Sequence, residues 1–267
     1  MDFRGHSVLI TGASEGIGRA LALELAKAGA RLTLVARNEA RLREAASQVE
    51  ALGGSALAVV ADVTAPAEAA RMVASTVETF GGLDILVLNA GGSMWAPFET
   101  MEDPEAAARR LMELNFFACL RATREALPHL KRSKGLIVPV ASVAGFAGIP
   151  TRTLYSASKH ALVGFFESLR VELRGSGVGV TIIAPDFVVT ELHARAAGAD
   201  GRPIGHGRLD PAKVMTAEAC AKLIVRAMAR RQRLLITSAR GRFGRWLKVL
   251  APSLVDRIAA RAVARRA

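Results

Sequence analysis

Short runs of β-branched and other apolar residues alternate along this chain with longer segments whose apolar positions recur every three to four residues. Such alternation marks repeated β-α-β units. The strand candidates are residues 8–11, 31–36, 56–61, 85–88, 136–140, 178–184 and 233–236. Their near-continuous apolarity suits strands of a parallel sheet covered on both faces. The helical segments between them end at Gly29, at Gly53-Gly54 and at Gly81-Gly82, where glycine can take the left-handed conformation that closes a helix. The pattern predicts an α/β fold, a doubly wound parallel sheet of about seven strands with helices on both faces. Pro139 falls inside the fifth strand and removes a ladder donor, so a bulge or local distortion is expected there. A Gly-, Ala- and Pro-rich stretch from Ala196 to Pro211 breaks the alternation late in the chain and predicts a loop that folds over whatever the sheet binds.

Composition narrows the picture. A chain of 267 residues that is 51% hydrophobic can bury the core of one domain. Two cysteines, Cys119 and Cys220, lie far apart in apolar helical segments, which suggests reduced core thiols and no metal-ligand cluster. The N-terminus enters Val8-Leu9-Ile10 without a cationic leader, and no apolar run approaches the ~18 residues of a spanning helix, so a cytoplasmic setting is expected. The net charge of +12 is unevenly spread. Residues 1–225 carry 24 basic and 23 acidic side chains, against 12 and one (Asp256) over residues 226–267. A neutral body argues against a nucleic-acid-binding core, and the basic charge belongs to the tail. The expected division is therefore a catalytic domain over 1–240 and a basic amphipathic helical tail over 241–267.

Three groups of residues carry candidate chemistry. The first strand runs into Gly12-Ala13-Ser14-Glu15-Gly16-Ile17-Gly18 and then into a helix. Glycines at such a turn permit close backbone approach to a pyrophosphate, and the helix N-terminus presents unpaired N–H groups. The second strand ends at Arg37-Asn38, where an NAD site usually offers a carboxylate to the ribose hydroxyl. An arginine there can pair with a 2′-phosphate, which favours NADP(H), although it also reads as an ordinary solvated helix-start residue. Finally Tyr155, the sole tyrosine, stands four residues before Lys159 on a predicted helix, placing phenol and ammonium on one face. A fixed cation favours phenolate and suits such a pair to acid/base work, while an isolated pair of this spacing also arises by chance.

Taken together, the loop 11–18, Asn89-Ala90-Gly91 after the fourth strand and Tyr155–Lys159 resemble the short-chain dehydrogenase/reductase family across almost the whole chain. The resemblance implies a single-domain Rossmann fold, and a homodimer or homotetramer. It makes Asn115, Ser142, Tyr155 and Lys159 the catalytic set. It also assigns Asp62 and Val63 to the adenine side, and Pro185, Val188 and Thr190 to the nicotinamide side. One departure stands out: Asp186 follows Pro185 where the family has glycine.

By that resemblance, hydride passes from NADPH to a carbonyl carbon while Tyr155 protonates its oxygen and Ser142 hydrogen-bonds it. Lys159 would tune Tyr155 and hold the nicotinamide ribose, with Asn115 supporting a water chain. The residues near the carbonyl by family position are Ser93, Met94, Trp95, Phe146, Ile149 and Phe187, mostly apolar and without an arginine clamp. An apolar ketone or aldehyde, lipid- or steroid-like, is the expected substrate. The other class of function consistent with the chain is an NADP(H)-binding regulatory or scaffold protein without turnover. In the tail, Phe243, Trp246, Leu247, Leu250, Leu254, Val255 and Ile258 recur at helical spacing amid arginines, and Pro252 splits the segment in two. Such a stripe suits a peripheral membrane contact, and suits equally well packing on the body or on a partner subunit.

Overall fold

The structure, a computed structural model, describes residues 1–205 and 214–264. The strands are β1 (Ser7–Thr11), β2 (Arg31–Ala36), β3 (Ser55–Val60), β4 (Ile85–Leu88), β5 (Leu136–Pro139), β6 (Gly179–Val180), β7 (Ile182–Ala184) and β8 (Leu234–Ile236). The helices are α1 (Gly16–Lys27), α2 (Glu39–Ala51), α3 (Pro66–Phe80), α4 (Pro104–Met112), α5 (Ala118–Ser133), α6 (Thr153–Glu172), α7 (Ala217–Ala229), α8 (Ala239–Leu250) and α9 (Pro252–Ala264). Strands pair in the order β3-β2-β1-β4-β5-β6, all parallel, with β7 and β8 as a further parallel pair. This is the expected doubly wound fold, its order reversing between β1 and β4.

Alternate residues of each strand feed two separate cores, because successive side chains leave opposite faces of the pleat. Ile85 and Val87 join Val8, Ile10, Leu32 and Leu34 beneath α1, α2 and α7, where Leu21, Leu42 and Ile224 meet them. Leu86 and Leu88 join Leu9, Val35 and Ile137 beneath α3, α5 and α6, where Met72, Leu130 and Phe166 meet them. Each large apolar side chain so buried contributes ~1.5–3 kcal/mol. Gly81 closes α3 in the left-handed conformation, at φ 78°, as its sequence position predicted.

Pro139 acts on its neighbour. β5 keeps its register against β4, with Pro139 opposite Leu88. On the other side Thr181 N–H donates to the Ile137 carbonyl and Ala141 N–H to the Ile183 carbonyl. The donor that Pro139 lacks falls between these two bonds, and there the expected single strand 178–184 divides into β6 and β7. The bulge expected in the fifth strand is thus a break in the sixth. A parallel bridge between Val140 and Ile183 carries the sheet across it.

The described part of the late loop is tied down over the C-terminal edge of the sheet. Ala197 exchanges backbone hydrogen bonds with Ser93 and Trp95, and Glu102 N–H donates to the Ala199 carbonyl. Residues 206–211 of that loop lie outside the described residues. The tail forms two helices that meet at Pro252. α8 begins at Ala239, so the boundary drawn at residue 240 falls inside its first turn. Among the described residues no helix is long and apolar enough to cross a membrane.

Candidate active site

At the sheet's C-terminal edge, over the reversal in strand order, lies a cavity of about 860 Å³. Every residue that the sequence placed at the cofactor lines it except Gly18. Gly18 has a packing role: a Cβ on it would overlap the Gly12 carbonyl and stand 2.5 Å from the Asn89 amide nitrogen. Asn89 braces the same turn, its Nδ2 donating to the Thr11 and Gly12 carbonyls at 3.0 Å each. No side chain caps α1, and its first turn carries no acidic residue. Its leading N–H groups therefore open on the cavity uncompensated, the cradle a pyrophosphate needs. The cavity's size and this cradle fit a dinucleotide.

At the far end of the cradle, Arg37 faces Asp62 at 3.7 Å, with the arginine side chain largely in solvent. Asp62 is held below the usual carboxylate range first by the Thr64 N–H; partial burial opposes this, and the Thr64 hydroxyl and Arg37 add to it. Arg41, one turn further on, also lines the cavity and pairs with Glu15 at 2.6 Å. Arg195 reaches the same Glu15 from the other rim at 2.8 Å.

The catalytic candidates separate into a wall and its support. Ser142, Tyr155 and Lys159 line the cavity together. Ser142 caps a short 3-10 turn, its Oγ accepting from the Ala144 N–H at 3.2 Å. That turn lies hard against α6, since a Cβ on Gly145 would stand 2.8 Å from the Lys159 carbonyl. Lys159 Nζ donates to the Val140 carbonyl at 3.0 Å and lies 5.9 Å from the Tyr155 ring centre. Asn115 stands behind this wall, fully buried in a π-helical turn between α4 and α5. Its amide spans Gly92, accepting from the N–H at 2.8 Å and donating to the carbonyl at 3.0 Å, and donates to Ser158 Oγ at 2.9 Å. Ser158 in turn donates to the Tyr155 carbonyl. Asn115 therefore fixes the Gly92 backbone to the helix that carries Tyr155.

Of the six residues expected near the carbonyl, Ser93, Ile149 and Phe187 line the cavity. Met94 packs in a small core with Met101 and Leu111. Trp95 stacks under Arg152, and Phe146 packs against the core beneath α3, α5 and α6 with Arg245 of α8 over its ring. Asp186 adopts no left-handed backbone; its N–H donates to Thr237 Oγ1, and its carboxylate takes bonds from Ser238 and Arg240, the latter at 2.9 Å. The aspartate that departs from the family pattern thus ties β7 to the start of α8.

Sequence reasoning missed Arg152 and His193, which share the cavity wall beside Tyr155. The expectation of an arginine-free substrate end is corrected: Arg152 is 5% exposed, inside the site. Its spacing from Tyr155, three residues at a helix start, was the available signal. His193 is pushed down to about 4 by burial and then by Arg152, against a backbone hydrogen bond to Val188, and is neutral at neutral pH. Both cysteines are free and buried; burial pushes Cys119 up to about 11 and Cys220 up to about 12. Among the described residues no group of three or more His, Cys, Asp or Glu side chains is placed to hold a metal ion.

Residues 6–200 match the family model described as short chain dehydrogenase. The chain belongs to that family. An Arabidopsis thaliana relative named 11-beta-hydroxysteroid dehydrogenase 1A is 39% identical over 259 residues, covering 94% of this chain and 74% of the relative. A Dictyostelium discoideum relative named dehydrogenase/reductase SDR family protein 7-like is 34% identical, covering 95% and 80%. Among solved structures, a short-chain dehydrogenase/reductase from Burkholderia phymatum in complex with NAD aligns with a TM-score of 0.82 at 25% identity, over 95% of this chain and 96% of that one. The short-chain dehydrogenase chain described above is thus an oxidoreductase of a nucleotide-dependent class.

Proposed function

We propose that this short-chain dehydrogenase reduces the carbonyl of a largely apolar, lipid- or steroid-like molecule to an alcohol, with NADP(H) as its preferred cofactor. The observation that carries the reading is the convergence of Ser142, Tyr155 and Lys159 on one wall of a cavity that continues to the glycine loop. Bound NADPH would supply the hydride. Gly12–Ile17 and the α1 N-terminus would hold its pyrophosphate, and Arg37 with Asn38 its adenosine end, where a 2′-phosphate finds two basic groups once Arg41 is counted. Tyr155 would give its proton to the carbonyl oxygen as negative charge grows there, a positioned transfer worth ~10²–10⁴-fold. Among the described residues the Ser142 O–H has no acceptor, which leaves it to donate to the same oxygen. Lys159, anchored on Val140, keeps a cation beside the phenol and can reach a ribose hydroxyl. Steroid dehydrogenase relatives and the apolar lining at Ile149, Leu114 and Phe187 support the substrate class.

The test is NADPH and NADH oxidation against a panel of ketones and aldehydes. Tyr155→Phe is expected to bind NADPH with unchanged affinity and to lose turnover at least 100-fold, while Arg37→Ala is expected to raise the KM for NADPH and leave that for NADH unmoved. Full activity in Tyr155→Phe would sink the mechanism, and equal use of both cofactors by the native chain would sink the preference.

A further inference from the structure

We infer that Arg152 is the recognition group for an anionic end of the substrate, so that the molecule reduced carries a carboxylate a few bonds from its reducible carbonyl. The inference deepens the reductase reading and rests on it for the position of the reaction.

The chain places this guanidinium with care. Thr151, a β-branched residue, adopts φ 64°, a conformation such residues occupy only under constraint from their surroundings. Its carbonyl is held by the Ala96 N–H, and the turn delivers Arg152 as the cap of α6, three residues and less than one helical turn before Tyr155. The side chain then enters the cavity wall instead of leaving for solvent. Its guanidinium carbon lies 4.4 Å from the Trp95 ring centre, 5.3 Å from that of Tyr155 and 5.7 Å from that of Phe187.

What the arginine lacks is a counter-charge. Among the described residues its side-chain hydrogen-bond partner is Nδ1 of His193, at 3.4 Å, and its Nε has none. The three carboxylates of the cavity wall are engaged elsewhere, Glu15 with Arg41 and Arg195, Asp62 with Arg37, and Asp186 with Arg240. A buried cation without an anion carries a desolvation penalty of several kcal/mol, which aromatic faces offset only in part. A substrate carboxylate would supply both the charge and the acceptors, and a guanidinium fork takes that shape bidentately. The distance from Arg152 to the Tyr155 ring sets the anion close to the carbonyl, and the apolar lining takes the rest of the molecule.

The experiment compares medium-chain 2-, 3- and 4-oxo carboxylates with their methyl esters, in the native chain and in Arg152→Met and Arg152→Lys. The expected result is a KM at least 10-fold lower for acids than for esters. Arg152→Met should raise the acid KM about 100-fold, the scale of a charge-assisted pair, and so abolish most of the difference between acids and esters. Arg152→Lys should recover part of the preference. Equal use of acids and esters by the native chain overturns the inference. So does an Arg152→Met effect confined to kcat for both classes, which would put the arginine in service of Tyr155, or an effect on NADPH binding. Thermal stabilisation of the NADPH-loaded protein by decanoate but not methyl decanoate, read apart from turnover, separates the two readings. Stabilisation without reduction of any oxo compound keeps the anion site and removes the reductase, whereas ester reduction without preference for acids does the reverse.

Discussion

Single residues in this protein owe their roles to what surrounds them, and His193 shows it most directly. Its imidazole is buried against a permanent cation, so its folded value lies near 4 while the unfolded chain titrates near ~6.5. The unfolded state therefore binds more protons between those two values, and stability falls as pH drops through that window. His193→Gln, which cannot titrate, is expected to flatten the decline in Tm between about pH 6.5 and about pH 4; an unchanged slope in a pH series of melting curves would remove His193 as its source. Tyr155 and Lys159 were legible in the sequence because their chemistry is local, a phenol and an ammonium one helical turn apart, whereas Ser142 was known only by family resemblance. Arg152 was not legible, because arginine in a polar loop before a helix reads as solvated. Only the left-handed Thr151 turns it inward.

Elements were read well where a period or a stop signal is intrinsic to the chain. Strands β1 to β5 emerged within a residue of their expected bounds at most ends, and the helix stops at Gly29, Gly53 and Gly81 all have positive φ. The sixth strand was misread because its break comes from Pro139, a residue of the neighbouring strand whose missing donor acts across the ladder. The first β-α turn depends on contact just as closely. Gly18 presses against Gly12 and Asn89, so Gly18→Ala is expected to destabilise the protein by about 1–3 kcal/mol or more, as overpacking does. Denaturant unfolding checks this, and a midpoint equal to that of the native chain would contradict the close approach. Asn115, known to the sequence reading only by resemblance, proves to be a cross-brace whose amide is filled by Gly92 and Ser158.

At the scale of the whole molecule the charge asymmetry becomes a surface. α8 leaves Phe243, Trp246, Val249 and Leu250 more than 60% exposed, on a helix that also carries Arg240, Arg242, Arg245 and Lys248. α8 is nevertheless anchored, through Arg240 to Asp186 and through Lys248 to the Phe146 carbonyl at 3.1 Å. Phe243, Trp246 and Leu250 of the sequence stripe therefore do not pack on the body, and we propose that a lipid surface covers them. Basic residues near acidic lipid add ~1 kcal/mol each. We expect the full chain to sediment with phosphatidylserine-containing vesicles and Phe243→Ser/Trp246→Ser to stay in the supernatant. Equal recovery of both in the supernatant, with a concentration-dependent dimer in light scattering, would assign the face to self-association.

By itself the sequence determined the parallel α/β fold and the glycine turn and offered the Tyr155–Lys159 pair, since each rests on a period or spacing within one or two adjacent elements, while Ser142 entered by family resemblance. The tertiary structure alone decided where the sixth strand breaks, which way Asp186 points and that an arginine without a counter-charge shares the cavity with Tyr155. Those outcomes depend on groups distant in sequence competing for the same hydrogen bonds and the same low-dielectric space, and no local pattern records who wins.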